Sequence, residues 1–171
     1  MTRTVLALAI LALAGTAQAQ APPAKAAPPA AFDARDPKSL IILLSQLGVR
    51  AEVTQTEGDA VFLKVTTPAY GFSAQYAGCD RQGRACKAVA FSTISEARAP
   101  TLAQLNGFTQ TSLTCRVWLD KSAKAHAMYT AMLSAGDTQA EMETHLGAWQ
   151  GCLAEFGAFL KDPNAYLAEA P

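Results

Sequence analysis

From residue 33 onward the apolar positions alternate between two periods. Leu40, Ile41, Leu43, Leu44 and Leu47 recur at helical spacing, which turns one face of a helix to a core. Asp36 stands as its cap, and Pro37 takes the first helical position, where a missing N–H costs nothing. Gly48 closes it. The period then falls to two. Residues 51–57, a Gly58-Asp59 turn and residues 60–66 predict a hairpin whose second arm, AVFLKVT, is rich in β-branched and aromatic side chains. Pro68 interrupts, and residues 70–77 form a third strand with Tyr70, Phe72, Ala74 and Tyr76 on one face. Residues 88–92 return as a fourth.

The second half repeats the scheme. After Pro100, a short helix carries Leu102 and Leu105, with Phe108 as a further candidate, and is capped by Thr101 or by the residues before it. TSLTCRVWL, 111–119, predicts a fifth strand, 120–122 a turn, and 123–133 a sixth strand. Alanine in KAHAMYTAML keeps a helix in competition there. On that strand His126, Met128, Thr130 and Met132 alternate; filling the core is preferred to an adaptable Met-lined surface. The longest helix, 138–160, follows Gly136-Asp137. Leu146, Trp149, Leu153, Phe156 and Leu160 form its apolar stripe, and Asp162-Pro163 stops it. This order predicts an α+β domain: an antiparallel sheet of about five to six strands packed against an N-terminal helix, a short middle helix and a long C-terminal helix.

Four cysteines change the picture. Cys79 and Cys86 close a polar loop within YAGCDRQGRACKAVAF, 76–91, and predict a disulfide that staples a β-hairpin. A Gln82-Gly83 turn makes the two cysteines a hydrogen-bonded pair, whereas a four-residue loop over 81–84 makes them a non-hydrogen-bonded pair. The longer loop is preferred, because a bridge needs Cβ atoms about 3.8 Å apart. The gap fits neither the common zinc spacings nor a redox C-x-x-C. Cys115 in the fifth strand and Cys152 in the core-facing arc of the last helix form a second pair if that helix lies across that strand. The alternative is two buried thiols acting as small hydrophobes.

Compartment follows from the first residues. Arg3, the apolar run 5–14 and Ala17-Gln18-Ala19 have the form of a signal peptide over 1–19. The run is shorter than the ~20 apolar residues that span a bilayer, so no stable membrane insertion is expected after cleavage. Residues 20–32, beginning QAPPAKAAPPAA, read as a Pro/Ala-rich linker, and 33–171 as the folded domain. Such a chain belongs in the periplasm or outside the cell, where bridges persist. The whole sequence carries 14 Lys plus Arg against 14 Asp plus Glu. Removing Arg3 with the leader leaves 13 against 14, a formal charge of −1. Near-neutrality gives no electrostatic ground for binding nucleic acid or an anionic membrane.

Little in the sequence points to catalysis. No H-E-x-x-H, G-x-S-x-G, Walker or Rossmann pattern occurs, so no catalytic, metal-binding or cofactor-binding residue and no cofactor is assigned. His145 and Cys152 are seven residues apart on one helix, about 10 Å, too far for a nucleophile–base contact. Glu141 and Glu143 face different sides of that helix and read as solvated surface.

Four segments carry a resemblance: LSQLGV ending the first helix; GCDRQGRAC running into AVAF; LAQLNGFTQTSLTCRVWLD; and HLGAWQGCLAEFGAFL. Across residues 40–160 the chain resembles the YbjN-domain family, bacterial proteins described as sensory transduction regulators. It departs from that pattern at Gly107-Phe108, where a Trp-Asn pair is expected, and over 121–124, where an acidic-glycine turn is expected. The resemblance implies a fold similar to that of type III secretion chaperones, an α+β sandwich that commonly dimerises. It brings no catalytic residues.

Two further expectations concern surfaces. Tyr70, Phe72 and Tyr76 either bury under the long helix beside Trp149 and Phe156, the preferred reading, or form an open face that grips a partner. One sheet face of such a fold needs cover, from helices or from a second subunit. The function that fits is a non-enzymatic, protein-binding or regulatory domain with a protein partner; a homodimer stays open. A thiol-dependent redox enzyme and a structural envelope component are the alternatives.

Overall fold

The structure, a computed structural model, describes residues 31–68 and 70–169. The leader, 1–19, and the linker up to residue 30 lie outside the described residues. The chain runs α1 (Pro37–Gln46), β1 (Arg50–Glu57), β2 (Ala60–Thr66), β3 (Gly71–Ala77), β4 (Ala88–Ile94), α2 (Leu102–Thr111), β5 (Arg116–Leu119), β6 (Ala125–Met132), α3 (Gln139–Lys161) and α4 (Pro163–Glu169). The strands make one antiparallel sheet in the order β1-β2-β3-β4-β6-β5. The predicted α+β class is the one observed. No described helix is long and apolar enough to cross a membrane.

Register places every buried strand residue on one face. Val61, Leu63 and Val65 pair with Tyr76, Ala74 and Phe72, and Ala74 and Tyr76 pair with Phe91 and Val89. Phe91 lies opposite Tyr129, and Val89 opposite Ala131. These side chains join Leu40, Leu43 and Leu44 of α1, Leu105 and Phe108 of α2, and Met142, Leu146, Trp149, Cys152, Phe156 and Phe159 of α3 in a single core. Alternation along each strand sends the intervening residues to the opposite face, which no described helix covers. The core therefore lies wholly on one side of the sheet.

Caps fix three helix starts, the first at Asp36 as the sequence indicates. The Asp36 carboxylate accepts from Lys38 N–H at 2.9 Å. Thr101 with Gln104 and Thr138 with Glu141 form reciprocal capping boxes. Two terminal positions depart from expectation. Leu47 is 59% exposed, because α1 stops at Gln46 and Leu47, as the cap, leaves the helical phase. Leu102, the first residue of α2, is also exposed.

Larger corrections fall in the second half. Residues 111–115 are not strand: α2 runs through Thr111, and β5 holds only Arg116–Leu119. Thr109 and Thr111 hydroxyls donate back to the Leu105 and Phe108 carbonyls, which accommodates these β-branched residues in the helix. The Asp162-Pro163 stop is also a start. Asp162 accepts from Ala165 N–H at 3.0 Å and Pro163 opens α4, a helix that the periodicity does not announce. Tyr166 of α4 stacks on Phe108, centroids 5.6 Å apart, and meets Phe159 edge-on. Gly107 permits this approach, since a Cβ there would lie 3.0 Å from the Leu167 side chain. Gly107 and Phe108 thus form the seat of α4.

Two loops share one construction. In the loop from Asp80, the aspartate Oδ1 accepts from the N–H groups of Gln82 and Arg84, its own N–H donates to Arg84 O, and Gly83 N–H donates to Asp80 O. At the β5–β6 turn Asp120 does the same with Ser122, Lys124 and Ala123. The fourth position is left-handed in both, φ +70° at Gly83 and φ 57° at Ala123. Ala123 pays the steric cost that glycine avoids. Ala123→Gly is expected to raise stability by about 1 kcal/mol, read as a higher denaturation midpoint at unchanged slope.

Candidate functional site

The four cysteines form two bridges, Cys79–Cys86 and Cys115–Cys152, and no described cysteine is free. The first closes the preferred pairing but in a different loop. The β3–β4 ladder stops at Ala77 opposite Ala88. Beyond it Cys79 N–H donates to Asp59 O at 2.9 Å, and Cys86 N–H to Arg35 O at 3.1 Å. The turn starts at Asp80, one residue earlier than expected, because the aspartate side chain organises it. The stapled loop thereby joins the tip of the β1–β2 hairpin to the segment before α1. Cys86 is fully buried, and the Cα atoms of the pair are 3.8 Å apart.

The second bridge, open in the sequence, ties the α2–β5 loop to α3 with Cα atoms 5.1 Å apart. Cys115 precedes β5 and is not part of it. Its N–H donates to Ser112 Oγ at 3.2 Å, and Ser112 Oγ donates to Glu155 of α3 at 2.8 Å. A thiol-dependent reaction needs an accessible thiolate; here all four sulfurs are held in bridges.

Titratable side chains serve the frame. His126 Nε2 lies 3.1 Å from Asp120 Oδ2, and its ring stacks on Trp118 with centroids 4.8 Å apart. His145 Nδ1 is 2.8 Å from the Tyr129 hydroxyl. Tyr129 lies on the core face of β6 and His126 on the other, so the sheet separates the two histidines. Hydrogen bonds from the Lys124 backbone and the His126 side chain hold Asp120 below the usual carboxylate range. The Ser134 hydroxyl and backbone N–H do the same for Asp137, and the Arg35 guanidinium for Asp33. Burial pushes Tyr76 well above an ordinary phenol. Glu141 is occupied in its capping box, and Glu143 accepts from Gln139. Among the described residues no three of His, Cys, Asp and Glu gather closely enough to hold a metal ion.

What remains is surface. The aromatic trio divides: Phe72 and Tyr76 are buried, with Phe72 5.7 Å from the Trp149 ring, while Tyr70 is exposed at the strand's end. The alternation on β6 runs opposite to expectation. Its core side is Ala125, Ala127, Tyr129 and Ala131, whereas His126, Met128, Thr130 and Met132 lie on the uncovered face. On the covered side Phe91 stacks on Trp149 at 6.3 Å and on Tyr129 at 6.4 Å, and the other core-facing residues of β6 are the small Ala125, Ala127 and Ala131.

The uncovered face carries apolar side chains across four strands: Phe62 on β2, Ile94 on β4, Trp118 on β5, and Met128 and Met132 on β6. Ile94 is 53% and Met132 74% exposed. A concavity of about 600 Å³ lies over this face, bordered by Phe62, Lys64, Ser73, Ser92, Ile94 and His126. Lys64 makes no salt bridge with a described residue. The outer strands resist pairing with another edge. β1 is interrupted by a bulge between Val53 and Gln55 and carries Arg50, Glu52 and Glu57, and β5 has only four residues.

No family model, no curated protein and no solved structure matches the chain.

Proposed function

We propose that this is an exported, periplasmic or secreted, non-enzymatic domain of the YbjN type that works by protein contact through the uncovered sheet face. One observation carries the reading: Phe62, Ile94, Trp118, Met128 and Met132, from four strands, are spread over one sheet face that no described helix covers. Large apolar side chains exposed on one face favour contact with a partner. Two disulfides fit an oxidising compartment, and the leader read in residues 1–19 supplies the route there. A rigid stapled frame keeps the face in one shape, so a partner meets little ordering cost on this side of the contact. The partner is a protein, and a second copy of the chain is one candidate.

The test is capture of periplasmic protein by the wild-type chain and by an Ile94→Glu/Met132→Glu variant. Both positions are exposed, so the variant should fold. A specific partner held by the wild type and lost by the variant is the expected result. A partner retained by the variant, or none captured by either, would contradict it.

A further inference from the structure

In the strand order β1-β2-β3-β4-β6-β5 the middle of the uncovered face lies between β3 and β4. A two-fold axis over that line, in the plane of contact and parallel to the strands, sets β3 against β4 of a second copy, β2 against β6 and β1 against β5. Such an axis leaves no freedom to slide along the strands. Ladder partners stand side by side across a sheet, so each side chain meets the copy of one from its own row. The observed register therefore decides which residues face each other.

Lys64, Ser73, Ser92 and Met128 form one row. Ser73 thus meets Ser92 of the second copy, and the aliphatic stem of Lys64 meets Met128. One row further, Gly71 meets Ile94, which is 53% exposed. Gly71 and Ile94 both border the concavity of about 600 Å³, so a side chain of the second copy enters it where Gly71 supplies none. In the other direction Phe62 meets Thr130, and Met132, 74% exposed, meets Ala60. In each of these contacts a large side chain meets a smaller one. Charges match as well. Glu52 shares its row with Lys64, and Arg116 with Met128, so Glu52 meets Arg116 at both ends of the contact. Arg116 makes no salt bridge with a described residue. Arg50 meets the ring of Trp118, a favourable seat for a cation. No like charges lie directly opposite in these rows, and a chain so near neutrality repels its own copy little.

We propose that the uncovered face binds a second copy of this chain about that axis, giving a two-fold sandwich of two six-stranded sheets with aligned strands, about 10 Å apart. This rests on the reading of the face as a protein-contact surface and names its partner. The outer strands β1 and β5 resist edge pairing, so the second copy meets the face and not an edge. The match of size and charge between the two halves of one face is what a self-complementary, isologous contact requires.

Sedimentation equilibrium of the full mature protein tests this. The wild type should sediment as a dimer. Ile94→Glu/Met132→Glu should sediment as a monomer with native circular dichroism, since both side chains are exposed. Glu52→Arg and Arg116→Glu each set like charges opposite one another at two places, and each should weaken the dimer on the order of tenfold. The double variant restores opposite charges and should return to within about threefold of the wild type. A double variant as weak as the single ones would overturn the proposed axis. A dimer kept by Ile94→Glu/Met132→Glu would overturn the proposal by showing assembly through another surface. A wild type that stays monomeric at every concentration would overturn it too. If that monomer still captures another protein, and Ile94→Glu/Met132→Glu does not, the contact reading of the face stands without it.

Discussion

Removing the Cys115–Cys152 bridge, as Cys115→Ala/Cys152→Ala, is expected to lower stability by about 4 kcal/mol. The bridge closes a loop with a sequence separation of 37 and holds the α2–β5 loop to α3. Cross-linking acts mainly on the unfolded chain, whose lost freedom grows with the logarithm of loop length. The Cys79–Cys86 loop, with a separation of 7, should therefore matter less, about 2 kcal/mol for its own alanine pair. Chemical denaturation checks both. The longer loop should also give the larger rise in denaturant slope, because its unfolded state expands further once released. Equal losses from the two pairs would show that native contacts, not chain entropy, set the effect.

Trp149→Ala is expected to cost about 4 kcal/mol by a different route. The side chain is 1% exposed and sits among Phe72, 5.7 Å away, and Phe91, 6.3 Å away. Truncation removes the hydrophobic contact and leaves a void that rigid sheet neighbours cannot close. Here the denaturant slope should stay near the wild-type value while the midpoint falls, since the unfolded chain is hardly changed. Trp149→Phe keeps much of the bulk and should cost less than half as much. A loss below about 2 kcal/mol for the alanine variant would mean that the core relaxes around the gap.

Much of this frame was legible in the chain. Asp36-Pro37 and Gly48 bracket α1 because cap chemistry is local. The Gly58-Asp59 turn and the AVFLKVT arm set the first hairpin for the same reason. The errors arise where tertiary packing overrides a local signal. Thr109 and Thr111 favour extended backbone by propensity, yet their hydroxyls bond back within α2. On β6, methionine outranks alanine in hydrophobicity, yet the core face takes Ala125, Ala127 and Ala131 around the single large Tyr129, and the methionines face outward. Alternation gives two faces without saying which one is buried. That ambiguity concealed the candidate site: Met128 and Met132 belong to the surface, and with Ile94 and Phe62 they make the uncovered face.

The most direct test of an exported, doubly stapled domain is the intact mass of protein isolated from its own cell envelope, measured with and without reductant. The account predicts a chain beginning at Gln20 and lacking four hydrogens, two for each of the two bridges, all regained on reduction. An uncut chain with four reduced cysteines, recovered from the cytosol, would contradict it.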